Sequence, residues 1–97
     1  MNEKILTLNP DPAKKGVKID KDRYENMRSV ILEILKANGP LSSSKLVEAV
    51  VATIEANGKV DYSVGWCAMA VKLDLEARSE ICYDRSVKKP VVTLSNS

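Results

Sequence analysis

Residues 71–81 read Val71-Lys72-Leu73-Asp74-Leu75-Glu76-Ala77-Arg78-Ser79-Glu80-Ile81, and their periodicity changes partway along. Val64, Ala68, Val71 and Leu75 fall three or four residues apart, the spacing of one helix face. Beyond Glu80 the apolar residues Ile81 and Tyr83 alternate with Cys82 and Asp84, the spacing of a strand. A helix ending near Arg78 therefore gives way to a strand within a few residues. Asp61 or Ser63 can cap the start of this helix by accepting from its first free amides.

Downstream, residues 85–89 form a polar, charged turn. Pro90-Val91-Val92-Thr93-Leu94 is β-branched and strand-like, with Pro90 confined to a strand start or edge. A C-terminal hairpin is expected. Upstream, Ser42-Ser43-Ser44 offers cap hydroxyls for a second helix whose apolar face is Leu46, Val47, Val50, Val51 and Ile54. Asn57-Gly58 ends it. Leu41, just before, can make a very short strand. Tyr24, Met27, Ile31, Ile34 and Leu35 mark a first helix over residues 21–37, capped by Asp20 and stopped by Asn38-Gly39-Pro40. Residues 1–19 read as an arm, because Asn9-Pro10-Asp11-Pro12 cannot continue a helix. Val17 and Ile19, alternating with Lys18, permit a short strand at its end. Residues 20–97 form the domain. The expected core is Tyr24, Met27, Ile31, Ile34, Leu35, Leu46, Val50, Ile54, Val71, Leu75 and Ile81, with Val91 or Val92.

Composition narrows the function. The 97 residues suggest one domain, and 44% hydrophobic residues suffice for one core without metal or disulfide. Cys67 and Cys82 read as small buried hydrophobes in a reducing compartment, with a disulfide between them as the alternative. No apolar run reaches the length of a membrane span, and the N-terminus lacks signal-peptide features, so a cytoplasmic protein is expected. There is no histidine, which removes the commonest general base and imidazole metal sites. The cysteines are not spaced as a metal motif. The four glycines are scattered, with no phosphate-cradling loop. No enzyme, cofactor, metal or small-molecule ligand is expected.

The order of elements resembles the winged helix-turn-helix superfamily over residues 20–94, and small uncharacterised bacterial proteins of that kind. Leu75 and Ile81 match the usual leucine and the apolar residue opening the wing, with Ser79 where glycine is common. Gly39-Pro40-Leu41-Ser42 resembles the turn into the second helix. The resemblance implies an α+β fold of three helices with a C-terminal β-hairpin wing, and regulatory DNA binding. It places Tyr62, Ser63, Trp66 and Lys72 toward DNA from the third helix, and Arg85, Lys88 and Lys89 from the wing.

Charge gives a mixed reading. Net charge is +2. Residues 61–80 hold Lys72 and Arg78 against Asp61, Asp74, Glu76 and Glu80, an acidic balance unsuited to lying between phosphates. The basic residues cluster instead at Lys14, Lys15 and Lys18 and at Arg85, Lys88 and Lys89, of which Lys14, Lys15, Arg85, Lys88 and Lys89 can contact backbone phosphates. The third helix also carries a second apolar stripe: Trp66, Met69, Ala70, Leu73 and Ala77. That stripe is covered by the arm or hairpin, or it is a face for a protein partner or second copy, or Trp66 stacks on nucleic acid. A DNA-binding domain is thus the first expectation. A non-enzymatic protein-interaction or dimerisation module using Trp66, Met69 and Leu73 is the alternative.

Overall fold

The computed structural model describes residues 3–9, 13, 16–58, 60, 62–84 and 88–94. Its elements are β1 (Lys4–Leu6), β2 (Lys18–Asp20), α1 (Lys21–Asn38), α2 (Ser43–Glu55), α3 (Val64–Ala77), β3 (Ile81–Asp84) and β4 (Val91–Leu94). Three helices pack on one another, and two separate antiparallel hairpins flank them.

The arm expected over residues 1–19 is, in its described part, a hairpin. β1 pairs with β2 in the register Lys4↔Asp20, Ile5↔Ile19 and Leu6↔Lys18. Ile5 and Ile19 share one face, and Ile19 joins the core. Past the strands, the Thr7 amide donates to the Val17 carbonyl at 2.8 Å, and the Val17 amide donates to Thr7 Oγ1 at 2.9 Å. Gly16 is needed there: a Cβ on it would lie 1.6 Å from the Thr7 carbonyl oxygen.

β2 runs straight into α1. Asp20 stands at the cap position, but its carboxylate makes no cap hydrogen bond. It lies 3.9 Å from Arg23 Nη2 instead. The Lys21 amide is satisfied by the Glu3 carbonyl at 2.8 Å, so strand pairing takes over part of the cap's work. Gly39, at φ 75°, ends the helix and donates to the Leu35 carbonyl. Leu41 then bridges to Val92 through two backbone hydrogen bonds, tying the short link between α1 and α2 to β4. Ser42 caps α2 and Ser63 caps α3, each hydroxyl accepting from an amide three residues on.

The change of period at 71–81 is made by a Schellman turn. The Glu80 amide donates to the Leu75 carbonyl and the Ser79 amide to the Glu76 carbonyl. Ser79 sits at φ 63°, a left-handed conformation that costs a side-chain-bearing residue about 1 kcal/mol relative to glycine. Ser79→Gly is therefore expected to stabilise the fold by about 1 kcal/mol, a rise of roughly 4–8 °C in melting temperature for a domain of this size. A thermal melt showing no rise would contradict this.

The core matches the expected residues with one exception. Ile34 is only half-buried and packs against the core from its edge, and Val92 rather than Val91 is the buried strand residue. Val64, Cys67 and Ala68 complete it from α3. Cys82 departs from expectation: it is exposed, because β3 turns Ile81 inward and its neighbour outward.

Candidate functional site

α3 has an unusual division of labour between its faces. Its buried arc is Val64, Cys67, Ala68, Val71, Lys72, Asp74 and Leu75. Two of those seven are charged, so the charge expected on the outside of this helix lies largely inside.

Asp74 is fully buried. Its carboxylate accepts from the Tyr24 hydroxyl of α1, from the Leu8 amide at 2.8 Å, and from Arg78 Nε at 2.9 Å. One side chain thus joins α3 to α1 and to the segment after β1. Lys72 is 5% exposed; its ammonium lies 2.9 Å from Glu76 Oε2 and 5.3 Å from the centre of the Tyr83 ring. Glu80 pairs with Arg28 of α1. Asp74, Glu76 and Glu80 are therefore each neutralised within the chain, and they do not form an acidic outer surface. The same burial corrects the placement of Lys72 toward DNA, because its charge is turned inward and satisfied.

Burial and the bond to Asp74 push the Tyr24 hydroxyl pKa up from 10.0 to about 12. Because the folded value lies above the unfolded one, this contribution to stability is fully present below pH 10. It is lost as pH rises toward 12. The unfolding free energy of the native chain, read by urea titration, should fall across that window by up to roughly 2–3 kcal/mol from this one group. Tyr24→Phe should be less stable at neutral pH and flatter across the same window. Equal slopes for the two would contradict the assignment.

The outward face of α3 is apolar. Trp66 is 55% exposed and Met69 41%, with Leu73, Ala70 and Ala77 half-buried beside them. The expectation that the N-terminal segment or the C-terminal hairpin covers this stripe holds only in part, since Trp66 and Met69 stay exposed. The N-terminal hairpin lies alongside, and its Leu8, 43% exposed, extends the stripe. A groove results, lined by Trp66, Met69, Ala70 and Leu73 from α3 and by Leu8 and Val17 among the residues of the N-terminal segment. Trp66 also borders a second hollow, where Lys4, Lys18 and Arg23 meet Tyr62. Arg23 stacks over the Tyr62 ring at 3.9 Å.

The other expected nucleic-acid residues are dispersed. Tyr62 is half-buried under Arg23, and the Ser63 hydroxyl is occupied as the α3 cap. Lys88 and Lys89 are exposed in the connection between β3 and β4. Lys14, Lys15 and Arg85 lie outside the described residues. Sequence reading placed Lys18 in the basic cluster of the arm but missed Lys4, Arg23 and Leu8, and the convergence of these residues near Trp66 depends on the β1–β2 pairing. Burial pushes the Cys67 thiol pKa up, which fits an inert packing role. Among the described residues, no cluster of three side chains could hold a metal, and no helix is long and apolar enough to cross a membrane.

These features define an α+β domain of three helices and two antiparallel hairpins that exposes an apolar helix face beside a basic hollow. The chain belongs to the DUF6958 family, a family of unknown function, whose profile matches residues 4–92. The matched stretch opens at the first residue of β1, so the N-terminal hairpin falls within the family's unit. No curated protein and no solved structure matches the chain.

Proposed function

We propose that this chain is a winged-helix domain acting as a non-enzymatic interaction module, which docks an amphipathic segment of a partner protein along α3. The order of three helices and a C-terminal hairpin, with Leu41 bridged to Val92, supports the winged-helix reading. The observation that carries the docking reading is the outward orientation of Trp66, Met69 and Leu73 while Lys72, Asp74 and Glu76 are paired inward. A helix that reads bases presents hydrogen-bond donors and acceptors to the groove. This one presents the largely apolar side chains of Trp66 and Met69. Exposed apolar faces with a charged rim characteristically mark interaction sites, and tryptophan is prominent among the residues that dominate binding energy.

The test is selection of a displayed random peptide library against the native domain, with Leu73→Glu as the counter-target. The reading expects enriched sequences with apolar residues at i, i+3, i+4 and i+7 that do not bind the variant. Failure to enrich any such pattern over the variant would overturn it.

A DNA-binding reading keeps one specific support, the exposed Lys88 and Lys89 between β3 and β4, where a wing would touch phosphates. Anisotropy of a labelled duplex, at low and physiological salt, tests it. Salt-sensitive binding with a shallower slope in Lys88→Ala/Lys89→Ala would favour DNA. No binding at low salt would remove that reading.

A further inference from the structure

We infer that the docked segment is an acidic amphipathic helix, its apolar stripe on Trp66, Met69 and Leu73 and its carboxylates on Lys4, Lys18 and Arg23. This rests on the docking reading above and adds the chemistry of the partner.

Charge around Trp66 is the ground for it. Among the described residues, the hollow beside this side chain gathers Lys4, Lys18 and Arg23 against one carboxylate, Asp20. Asp20 is already 3.9 Å from Arg23, and no ion pair among the described residues involves Lys4 or Lys18. The two lysines come from opposite strands of the β1–β2 hairpin, and the hairpin is anchored to α1 through Ile19 and to α3 through the Leu8–Asp74 bond. They are therefore held beside the apolar groove by the fold itself. Trp66 borders both hollows, so a ligand on it meets hydrocarbon in one direction and positive charge in the other.

A second copy of this chain fits that arrangement poorly. Two α3 faces packed antiparallel would bring the basic end of one against the far end of the other. There Asp74, Glu76 and Glu80 are already paired with Arg78, Lys72 and Arg28. These three carboxylates are therefore not available to Lys4 and Lys18 of a second copy. A partner bringing its own carboxylates neutralises them. Trp66 to Leu73 spans about two helical turns, or roughly 10 Å, which suits the i to i+7 anchors of a helix laid along a groove.

Trp66 is the only tryptophan, so its emission reports on this face directly. The probe is a synthetic amphipathic helix of roughly 14 residues, with leucines at i, i+3, i+4 and i+7 and glutamates flanking them. A glutamine analogue and a lysine analogue accompany it. The expected result is a blue shift of Trp66 emission and binding roughly tenfold tighter for the glutamate peptide than for the glutamine one, the gap closing at high salt. Lys4→Glu/Lys18→Glu, whose substitutions lie on exposed positions, should instead prefer the lysine peptide. The salt dependence of the native chain gives the same answer without any variant. Equal binding of the glutamate and glutamine peptides, with the blue shift kept, overturns the acidic partner and leaves the docking reading standing. No emission change with any of the three peptides overturns both. A blue shift on concentrating the protein alone means that a second copy covers the face. Displacement of the peptide by an oligonucleotide means that nucleic acid does. Either would overturn the inference.

Discussion

Asp74→Ala is expected to lower the unfolding free energy by about 3–5 kcal/mol, a large part of the 5–15 kcal/mol typical of a domain. The fully buried carboxylate serves the Tyr24 hydroxyl, the Leu8 amide and Arg78 together. Truncation leaves the first two donors without an acceptor, at about 1–3 kcal/mol each, whereas the part-exposed Arg78 can turn to water. Asp74→Asn should cost less, since its amide oxygen in the place of Oδ1 still accepts from the Leu8 amide, while its amide nitrogen in the place of Oδ2 can donate to the Tyr24 hydroxyl oxygen. Urea unfolding measures both. A loss below about 1 kcal/mol for the alanine variant would mean that the carboxylate is not the junction described. Amide exchange adds a local signature: Leu8 should lose protection in the alanine variant and keep most of it in the asparagine one, because its amide donates to an oxygen that only alanine removes.

The second large effect is on binding. Trp66→Ala should weaken a docked segment about thirtyfold or more, the loss of roughly 2 kcal/mol that marks an interface hot spot. Its effect on stability should stay within about 0.5–1 kcal/mol, because the side chain is more than half exposed and helps little in the core. Titrating the labelled amphipathic peptide into both forms, alongside their thermal melts, separates the two quantities. A variant that binds as well as the native chain would move the docking surface away from α3. A variant that melts many degrees lower would show Trp66 to be structural.

Much of this architecture is written locally in the chain. The stops at Asn38-Gly39-Pro40 and Asn57-Gly58, the serine caps and the switch of period at Leu75 and Ile81 are short-range signals, and the helices and C-terminal hairpin follow them. The N-terminal hairpin is different. Lys4-Ile5-Leu6 is three residues long and pairs with a strand beyond two prolines, and no local pattern announces such a partner. The charges of α3 were misplaced for a related reason. Asp74 lies between Leu73 and Leu75 and enters the sequence reading only as part of an acidic balance, yet Tyr24 and Leu8 arrive from 50 and 66 residues away to bond it. One signal was present: Lys72 with Glu76 and Asp74 with Arg78 are i, i+4 pairs of opposite charge. Read as pairs rather than as a net count, they show that the helix can satisfy its own charges and leave its outer face apolar. Trp66, Met69 and Leu73 were legible as a stripe; which side they faced depended on where the hairpins settled.

The most direct test of the docking face is a two-dimensional amide spectrum of the native chain titrated with the glutamate peptide. The single tryptophan gives a single indole N–H signal. The account predicts that this signal, the outward amides of α3 and the Leu8 amide shift together, while residues 88–92 stay in place. Shifts confined to residues 88–92, with the indole signal unmoved, would contradict it.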